Sequence, residues 1–262
     1  MKRIIIFYLM LCFFFLGVIP SSSPSVQAAP RTLPIMPGAV QKSNAEESKD
    51  LFQYVLDTQK RQKLGQWVHL TINQKKNPVQ QSYWNNVLLP EETQREVWSQ
   101  LTLEGRVSKQ VFTINDAHGN PLVLQKFKDG TFTDELKSTK HVASSPDLAF
   151  DVNFGVKLDL NVFECTNCNV QVELTKILGK KAVKVTITDK LPKPASLDGK
   201  EMFYDVFRAE DYFDFNTGLL LKGVDTIVLQ SGQEVWINDY EYQIDLDANP
   251  PADILSWPAD GG

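Results

Sequence analysis

The chain has 262 residues with 27 basic and 32 acidic side chains, so its formal net charge is −5. This acidic excess argues against a nucleic-acid-binding protein, which needs a basic surface to displace the counterions of the phosphates. Of all residues, 42% are hydrophobic and 10% are aromatic, which is enough apolar material for one large domain or two small ones.

Residues 1–28 predict a cleavable secretory leader. Two basic residues precede the apolar run 4–19, and small residues offer a cleavage site after Ala28. The apolar run has 16 residues. An uncleaved signal anchor is the alternative, but the run is just short of the ~18 residues that a membrane-spanning helix usually needs. The leader predicts an extracytoplasmic location, periplasmic or secreted, and the three prolines of residues 29–42 are typical of a flexible linker.

The remainder, residues 43–262, is predicted to form a single domain that begins with a helix. Ser43 and Glu46 fit a capping box, in which each satisfies a backbone N–H group at the helix start. Apolar residues recur at helical spacing over 51–56, and Gly65 is a typical stop signal. After Gly65 the apolar period changes from 3.6 to 2, which indicates strands.

The clearest strand signals lie in the second half of the chain. Residues 169–175 and 183–188 alternate between apolar and polar side chains on either side of Gly179, which predicts a hairpin. Further strand-like runs are 203–207, 212–215, 219–229 and 235–246. In all, we predict nine or ten antiparallel strands, with residues 139–164 unassigned. The fold class is therefore α+β, with the strands in a large curved sheet or barrel.

Cys165 and Cys168 lie between two strand-like runs. In the cytoplasm this spacing would indicate a redox pair or half of a zinc site, but no second cysteine pair completes such a site. Outside the cytoplasm a local disulfide is the better interpretation, and its short loop would contribute only ~2 kcal/mol of stability.

Motifs for catalysis and for metal binding are missing from the sequence. The three histidines share no metal-ligand spacing, and neither a nucleophile elbow nor a phosphate-binding glycine loop occurs. Acidic residues cluster in 205–214, so a secreted hydrolase that uses Asp211 or Asp214 is the alternative from the enzyme class. The sequence otherwise predicts a non-enzymatic protein with no cofactor and no metal site.

Aromatic side chains recur in the strand-like runs. They are expected either to pack the core beneath the helix or to line an apolar cavity that one helix leaves open on a curved sheet. The candidate ligand-binding residues are Trp67, Trp98, Phe112, Phe127 and Tyr242.

Two C-terminal stretches, YFDFNTGLLL at 212–221 and NPPAD at 249–253, resemble the LolA/RseB-like superfamily of periplasmic lipoprotein carriers and envelope-stress sensors. In that superfamily an Asp-x-x-Thr-Gly-Leu turn precedes the last strands, and an Asn-x-Pro-like tail follows. The resemblance covers roughly residues 45–255.

This resemblance implies an unclosed half-barrel with the N-terminal helix packed on an apolar concave face that holds acyl chains or peptide termini. We therefore predict an exported protein that binds a lipid-like or other apolar ligand in a half-barrel cavity. The alternative is an envelope sensor that acts by binding another protein.

Overall fold

The computed structural model describes residues 44–78, 82–84, 87–102, 107–128, 130–137, 139–142, 160–164, 167–190, 193–197 and 200–256. The predicted leader and linker lie outside these ranges, as do Ser43, Cys165 and most of the unassigned stretch 139–164. Among the described helices, none is both long enough and apolar enough to span a membrane.

The described residues form one long helix, one short helix, a 3₁₀ helix and fourteen strands. The helices are α1 (Asn44–Lys60), α2 (Ala252–Leu255) and the 3₁₀ helix Leu160–Glu164. The strands are β1 (Trp67–Lys76), β2 (Ser82–Trp84), β3 (Val87–Leu89), β4 (Glu92–Leu101), β5 (Val107–Asp116), β6 (Pro121–Lys128), β7 (Thr131–Asp134), β8 (Thr139–Val142), β9 (Cys168–Ile177), β10 (Lys180–Asp189), β11 (Lys193–Leu197), β12 (Lys200–Asp214), β13 (Leu220–Leu229) and β14 (Glu234–Asp245).

Twelve strands form one antiparallel sheet in the order β8-β7-β6-β5-β4-β1-β14-β13-β12-β10-β9, and β11 pairs with β12. The first strand lies inside the sheet between β4 and β14, so the last long strand returns to the first. Within the described residues the end strands β8 and β9 do not pair with each other, and the sheet is an unclosed half-barrel. The predicted α+β fold class is confirmed.

Strand β10 follows β9 through the predicted hairpin. The register pairs Ile177 with Lys180, which leaves Leu178 and Gly179 as the two turn residues. Both have positive φ, 49° and 76°, as a type I′ turn requires. Such a turn matches the right-handed twist of the two strands that it joins.

Helix α1 ends at Lys60, earlier than the predicted stop at Gly65. Gly65 instead permits a close approach of the C-terminal segment. Its N–H donates to the carbonyl oxygen of Leu246 at 2.6 Å, and an added Cβ would clash with Asp247. The glycine is needed because a second stretch of backbone passes next to it.

The predicted Asp-x-x-Thr-Gly-Leu turn connects β12 to β13 and supports α1. Asp214 Oδ1 accepts hydrogen bonds from the amides of Asn216 and Thr217, at 2.8 and 3.0 Å. Gly218 has a φ of 72°, and an added Cβ would lie 2.6 Å from the carbonyl oxygen of Val55 in the helix. The turn therefore needs glycine both for its backbone conformation and for its contact with α1.

Candidate functional site

Helix α1 packs on the concave face of the sheet, which we call the inner face. The two largest groups of buried apolar side chains lie on it. The helix cluster consists of Phe52, Val55, Val183, Val185, Phe213 and Leu220. The strand cluster consists of Leu70, Ile72, Val97, Phe112, Ile114, Val123 and Phe127, with Leu89 from β3. Tyr242 packs against both clusters and therefore marks their junction.

Three of the five predicted ligand-binding residues lie on the inner face. Phe112 and Phe127 are buried members of the strand cluster, with exposed fractions of 0% and 4%. Tyr242 lies opposite Ile72 in the register of β1 and β14, and it keeps partial exposure. These three side chains belong to one continuous surface.

Trp67 and Trp98 occupy the alternate positions of β1 and β4, so they lie on the outer face. The Trp98 ring stacks on His69 with 3.8 Å between ring centroids and an interplanar angle of 11°. Its Nε1–H donates to Glu96 Oε1 at 2.9 Å, and this bond helps to lower the pKa of Glu96, after the larger effect of the hydrogen bond with His69. The structure thus separates the two tryptophans from the other three candidates.

A chain of polar side chains crosses the inner face over four neighbouring strands. Arg95 of β4 donates to Gln74 Oε1 of β1, and Gln74 Nε2 donates to Asn238 Oδ1 of β14 at 3.0 Å. Asn238 Nδ2 in turn donates to Asp225 Oδ2 of β13 at 3.0 Å. We call these four residues the polar band, and it leads from a guanidinium to a carboxylate across the inner face.

Asp211 of β12 lies beyond the acidic end of the polar band. It pairs with Gly223 of β13 in the register, and an added Cβ on that glycine would lie 3.1 Å from Asp211 Oδ1. The same position is 3.6 Å from Tyr240 Cδ2 and 3.7 Å from Tyr242 Cε2. The missing side chain of Gly223 therefore lets one carboxylate and two phenol rings approach the backbone of β13 closely.

Asp211 and Asp225 are harder to ionise than usual. Burial raises the pKa of Asp225 to about 6, although its hydrogen bond with Asn238 acts in the opposite direction. Burial and then the charge of Asp225 raise the pKa of Asp211 to about 7. The negative charge of Asp225 opposes the ionisation of Asp211.

Asp211 and Asp214, the two candidates for hydrolysis, do not come together. Asp211 pairs with Val185 on the inner face, whereas Asp214 pairs with Ala182 at the alternate position of β10. The Asp214 carboxylate is engaged by the amides of its own turn. Asp211 and Asp214 therefore do not form the pair of facing carboxylates that glycoside hydrolysis requires.

An open cavity of about 440 Å³ lies at the edge of the strand cluster, and its lining is partly exposed to solvent. Its lining residues are Lys76, Pro78, Leu88, Leu89, Pro90, Glu91, Asp116 and Leu122. Leu89 belongs to the strand cluster and Leu122 packs against it, so the apolar lining continues onto the inner face. Lys76 Nζ donates to the carbonyl oxygen of Leu89 at 2.7 Å. Burial lowers the pKa of Lys76, and the negative charge of Glu91 partly offsets this shift.

The described residues contain no group of three or more His, Cys, Asp or Glu side chains that could hold a metal ion. Cys168 begins β9, but Cys165 lies outside the described residues. The disulfide between them stays a prediction.

Sequence reasoning missed the polar band, although one signal for it was present. In β1 the buried positions Val68, Leu70 and Ile72 are followed at the same spacing by Gln74, which is 7% exposed. A polar residue at the next alternate position of a strand lies on the same face as the buried apolar residues before it, so it is expected to be buried as well. Arg95 continues the alternation of Val97 in β4 in the same way.

Comparisons with known proteins give limited similarity. No family model matches the chain, and no curated protein matches its sequence. Among solved structures, the Mycobacterium tuberculosis lipoprotein LppX is similar at 13% identity and a TM-score of 0.38, over 79% of this chain and 97% of that chain. A DUF1329 family protein from Desulfovibrio piger is similar at 10% identity and a TM-score of 0.31, over 83% and 99% of the two chains. Both TM-scores are below 0.5, so these similarities carry no inference about function.

Proposed function

We propose that this chain is an exported, non-enzymatic binding protein that holds a lipid-like or other apolar ligand on the inner face of its half-barrel. The observation that carries the proposal is the cavity of about 440 Å³ whose apolar lining runs into the strand cluster. This volume falls within the ~300–1,000 Å³ range of small-molecule sites in proteins.

The position of α1 supports this role. The helix packs against β9, β10 and the 3₁₀ helix at one end of the sheet, whereas the cavity lies beside β1, β3 and β6 toward the other end. An apolar chain in the cavity would contact Leu89 and Leu122, which border the buried strand cluster. Burial of such a chain contributes about 25 cal/mol per Å² of apolar surface.

The experiment uses protein exported by a host cell, so that the predicted leader is processed. Native mass spectrometry and solvent extraction are expected to show a co-purified lipid. After delipidation, dodecanol is expected to bind saturably, as measured by displacement of a neutral polarity-sensitive dye. Failure of both measurements would overturn the proposal.

Two matched leucines test the location of the site. Leu88 lines the cavity and is 55% exposed, and Leu136 lies away from it and is 49% exposed. Because both are exposed, replacing either by aspartate is expected to leave folding intact. Leu88→Asp is expected to weaken dodecanol binding by about tenfold, since a buried carboxylate next to an apolar chain costs at least 1.4 kcal/mol. Leu136→Asp is expected to leave it unchanged, and equal effects would move the site elsewhere.

The sensor alternative, in which the chain acts by binding another envelope protein, stays a prediction. Crosslinking in the native host separates the two roles. A stoichiometric protein partner together with a lipid-free purified protein would favour the sensor.

A further inference from the structure

The hairpin of β9 and β10 ends in an exposed leucine that its turn does not favour. Leu178 is 58% exposed, and among the described residues it is the only one other than glycine with positive φ. A type I′ turn prefers asparagine, aspartate or glycine there, because other side chains are strained at positive φ. Leu174 of β9 is 52% exposed. The hairpin thus holds two apolar side chains in solvent, one of them in a strained backbone conformation.

Three exposed lysines lie beside these leucines. Lys176 and Lys181 are directly opposite each other in the register, and like charges in such a pair are destabilising. Lys180 follows the turn, and its Nζ lies 4.0 Å from Asp214 Oδ2. Lys181 Nζ lies 3.6 Å from the ring centroid of Phe215. We call the three lysines and the two leucines the basic tip, and the stability of the hairpin explains neither group.

The basic tip is locally positive in a chain whose net charge is −5. Within the described part of the chain, its three lysines outnumber the one carboxylate that pairs with them, that of Asp214. Glu173 is the nearest acidic residue along β9, but it occupies the alternate position, opposite Lys184 and on the other face of the sheet. Positive charge therefore remains around the exposed leucines, whereas the rest of the chain is acidic.

We propose that the basic tip docks the protein on a membrane surface that contains anionic lipids. Leu178 enters the boundary between head groups and acyl chains, and the lysines contact the lipid phosphates. The acidic remainder of the chain is repelled by the same surface, so the protein approaches it with the tip first. The inference does not depend on the ligand cavity, which lies toward the other end of the sheet.

The test uses the full exported chain and two kinds of vesicle. One kind is pure phosphatidylcholine, and in the other one third of the lipid is phosphatidylglycerol. The bound fraction is measured by flotation in a density gradient. Binding to the anionic vesicles is expected to be at least ~10-fold tighter than to the neutral ones, and to weaken as salt screens the lysines. Equal binding to both kinds of vesicle, or no binding to either, would overturn the inference.

Two leucine variants test the apolar part of the tip. Leu178→Asn supplies a residue that the turn prefers, so the hairpin is expected to fold at least as well. It is expected to weaken binding to the anionic vesicles by about tenfold, because a leucine no longer leaves water. Leu136→Asn is the control, since Leu136 is also exposed but lies outside the basic tip, and it is expected to leave binding unchanged. Equal losses in the two variants would contradict docking through the tip.

Two lysine variants test its charge. Lys176→Glu places a carboxylate opposite Lys181, which is a favourable cross-strand pair, so loss of the hairpin is not expected. It is expected to weaken binding to the anionic vesicles by ~10-fold or more. Lys75→Glu makes the same change of charge at an exposed residue of β1 and is expected to alter binding by less than ~2-fold. Equal effects would show that only the net charge matters, and the tip would not be the docking site.

The basic tip could instead join two copies of the chain. Sedimentation velocity without lipid would then show a dimer that is lost in Leu178→Asn, together with no preference for the anionic vesicles, and this result would overturn the inference. Dodecanol binding is expected to be the same in the wild-type protein and in Leu178→Asn. The failure of either proposal therefore leaves the other one standing.

Discussion

Replacing Asp211 by asparagine is expected to stabilise the protein at neutral and alkaline pH. Burial and the neighbouring Asp225 raise the pKa of Asp211 from 3.8 to about 7 in the folded chain. The folded protein therefore binds more protons than the unfolded chain between pH ~4 and pH ~7, and its stability falls as the pH rises through this window. Asparagine has nearly the shape of the protonated acid and cannot ionise, so the variant avoids that loss.

The magnitude follows from the size of the shift. A displacement of about three pKa units, at ~1.4 kcal/mol per unit, gives an upper value of ~4 kcal/mol. Because Asp211 keeps some solvent exposure, screening reduces this figure, and we expect Asp211→Asn to raise the free energy of unfolding by about 2–3 kcal/mol at pH 8. Near pH 4 the difference from the wild-type protein is expected to vanish.

Urea-induced unfolding followed by circular dichroism at pH 4.5 and pH 8 measures this difference. Asp205→Asn is the control, since Asp205 is exposed on the same strand. Equal stabilities of the wild-type protein and Asp211→Asn at pH 8 would refute the reasoning, and so would a stabilisation of the same size at both pH values. A change in the slope against urea would show that the variant altered the denatured or native state instead.

Three further predictions concern the parts that hold the fold together. Gly218→Ala is expected to lower the free energy of unfolding by about 2–4 kcal/mol in thermal or urea unfolding, because it combines positive φ with a clash against α1. The control is Gly232→Ala, at φ 82° with open space around it, which is expected to cost only ~1 kcal/mol. Phe52→Ala, which empties a fully buried site under α1, is expected to cost about 3–5 kcal/mol. Replacing Cys165 and Cys168 by serine is expected to cost ~2 kcal/mol without loss of dodecanol binding, and free thiols in the folded exported protein would contradict the predicted bridge.

Local patterns predicted the elements that depend on local interactions. The hairpin of β9 and β10 was recognisable because its alternation and its turn residues are adjacent in sequence. The runs 203–207 and 212–215 were predicted as separate strands, whereas the structure has one strand, Lys200–Asp214. The charged residues between them look like an interruption. In the sheet they alternate faces: Glu210 pairs with Lys184 at 2.8 Å on the outer face, and Asp211 lies on the inner face.

Long-range pairing was not predictable from these patterns. The alternation in β1 shows that Trp67 and Val68 face opposite ways, but it does not show which face is concave. That depends on α1 and on the pairing of β1 with β14, whose residues are far apart in sequence. For this reason the candidate site combined Trp98 of the outer face with Phe112 of the inner face.

The polar band is a hydrogen-bonded network of buried and half-buried polar side chains. A buried polar group costs about 1–3 kcal/mol when its hydrogen bonds are not made, and Arg95, Gln74 and Asn238 reduce this cost by bonding in series. The Asp211 carboxylate gains no such bond within the described residues, and an apolar side chain at its position would remove the unfavourable charge. Residues that do not suit the surrounding core, such as a carboxylate among apolar side chains, are expected at functional sites. Asp211 is thus the residue at which stability and the retained side chain disagree, because substitution by asparagine is expected to stabilise the fold at neutral and alkaline pH.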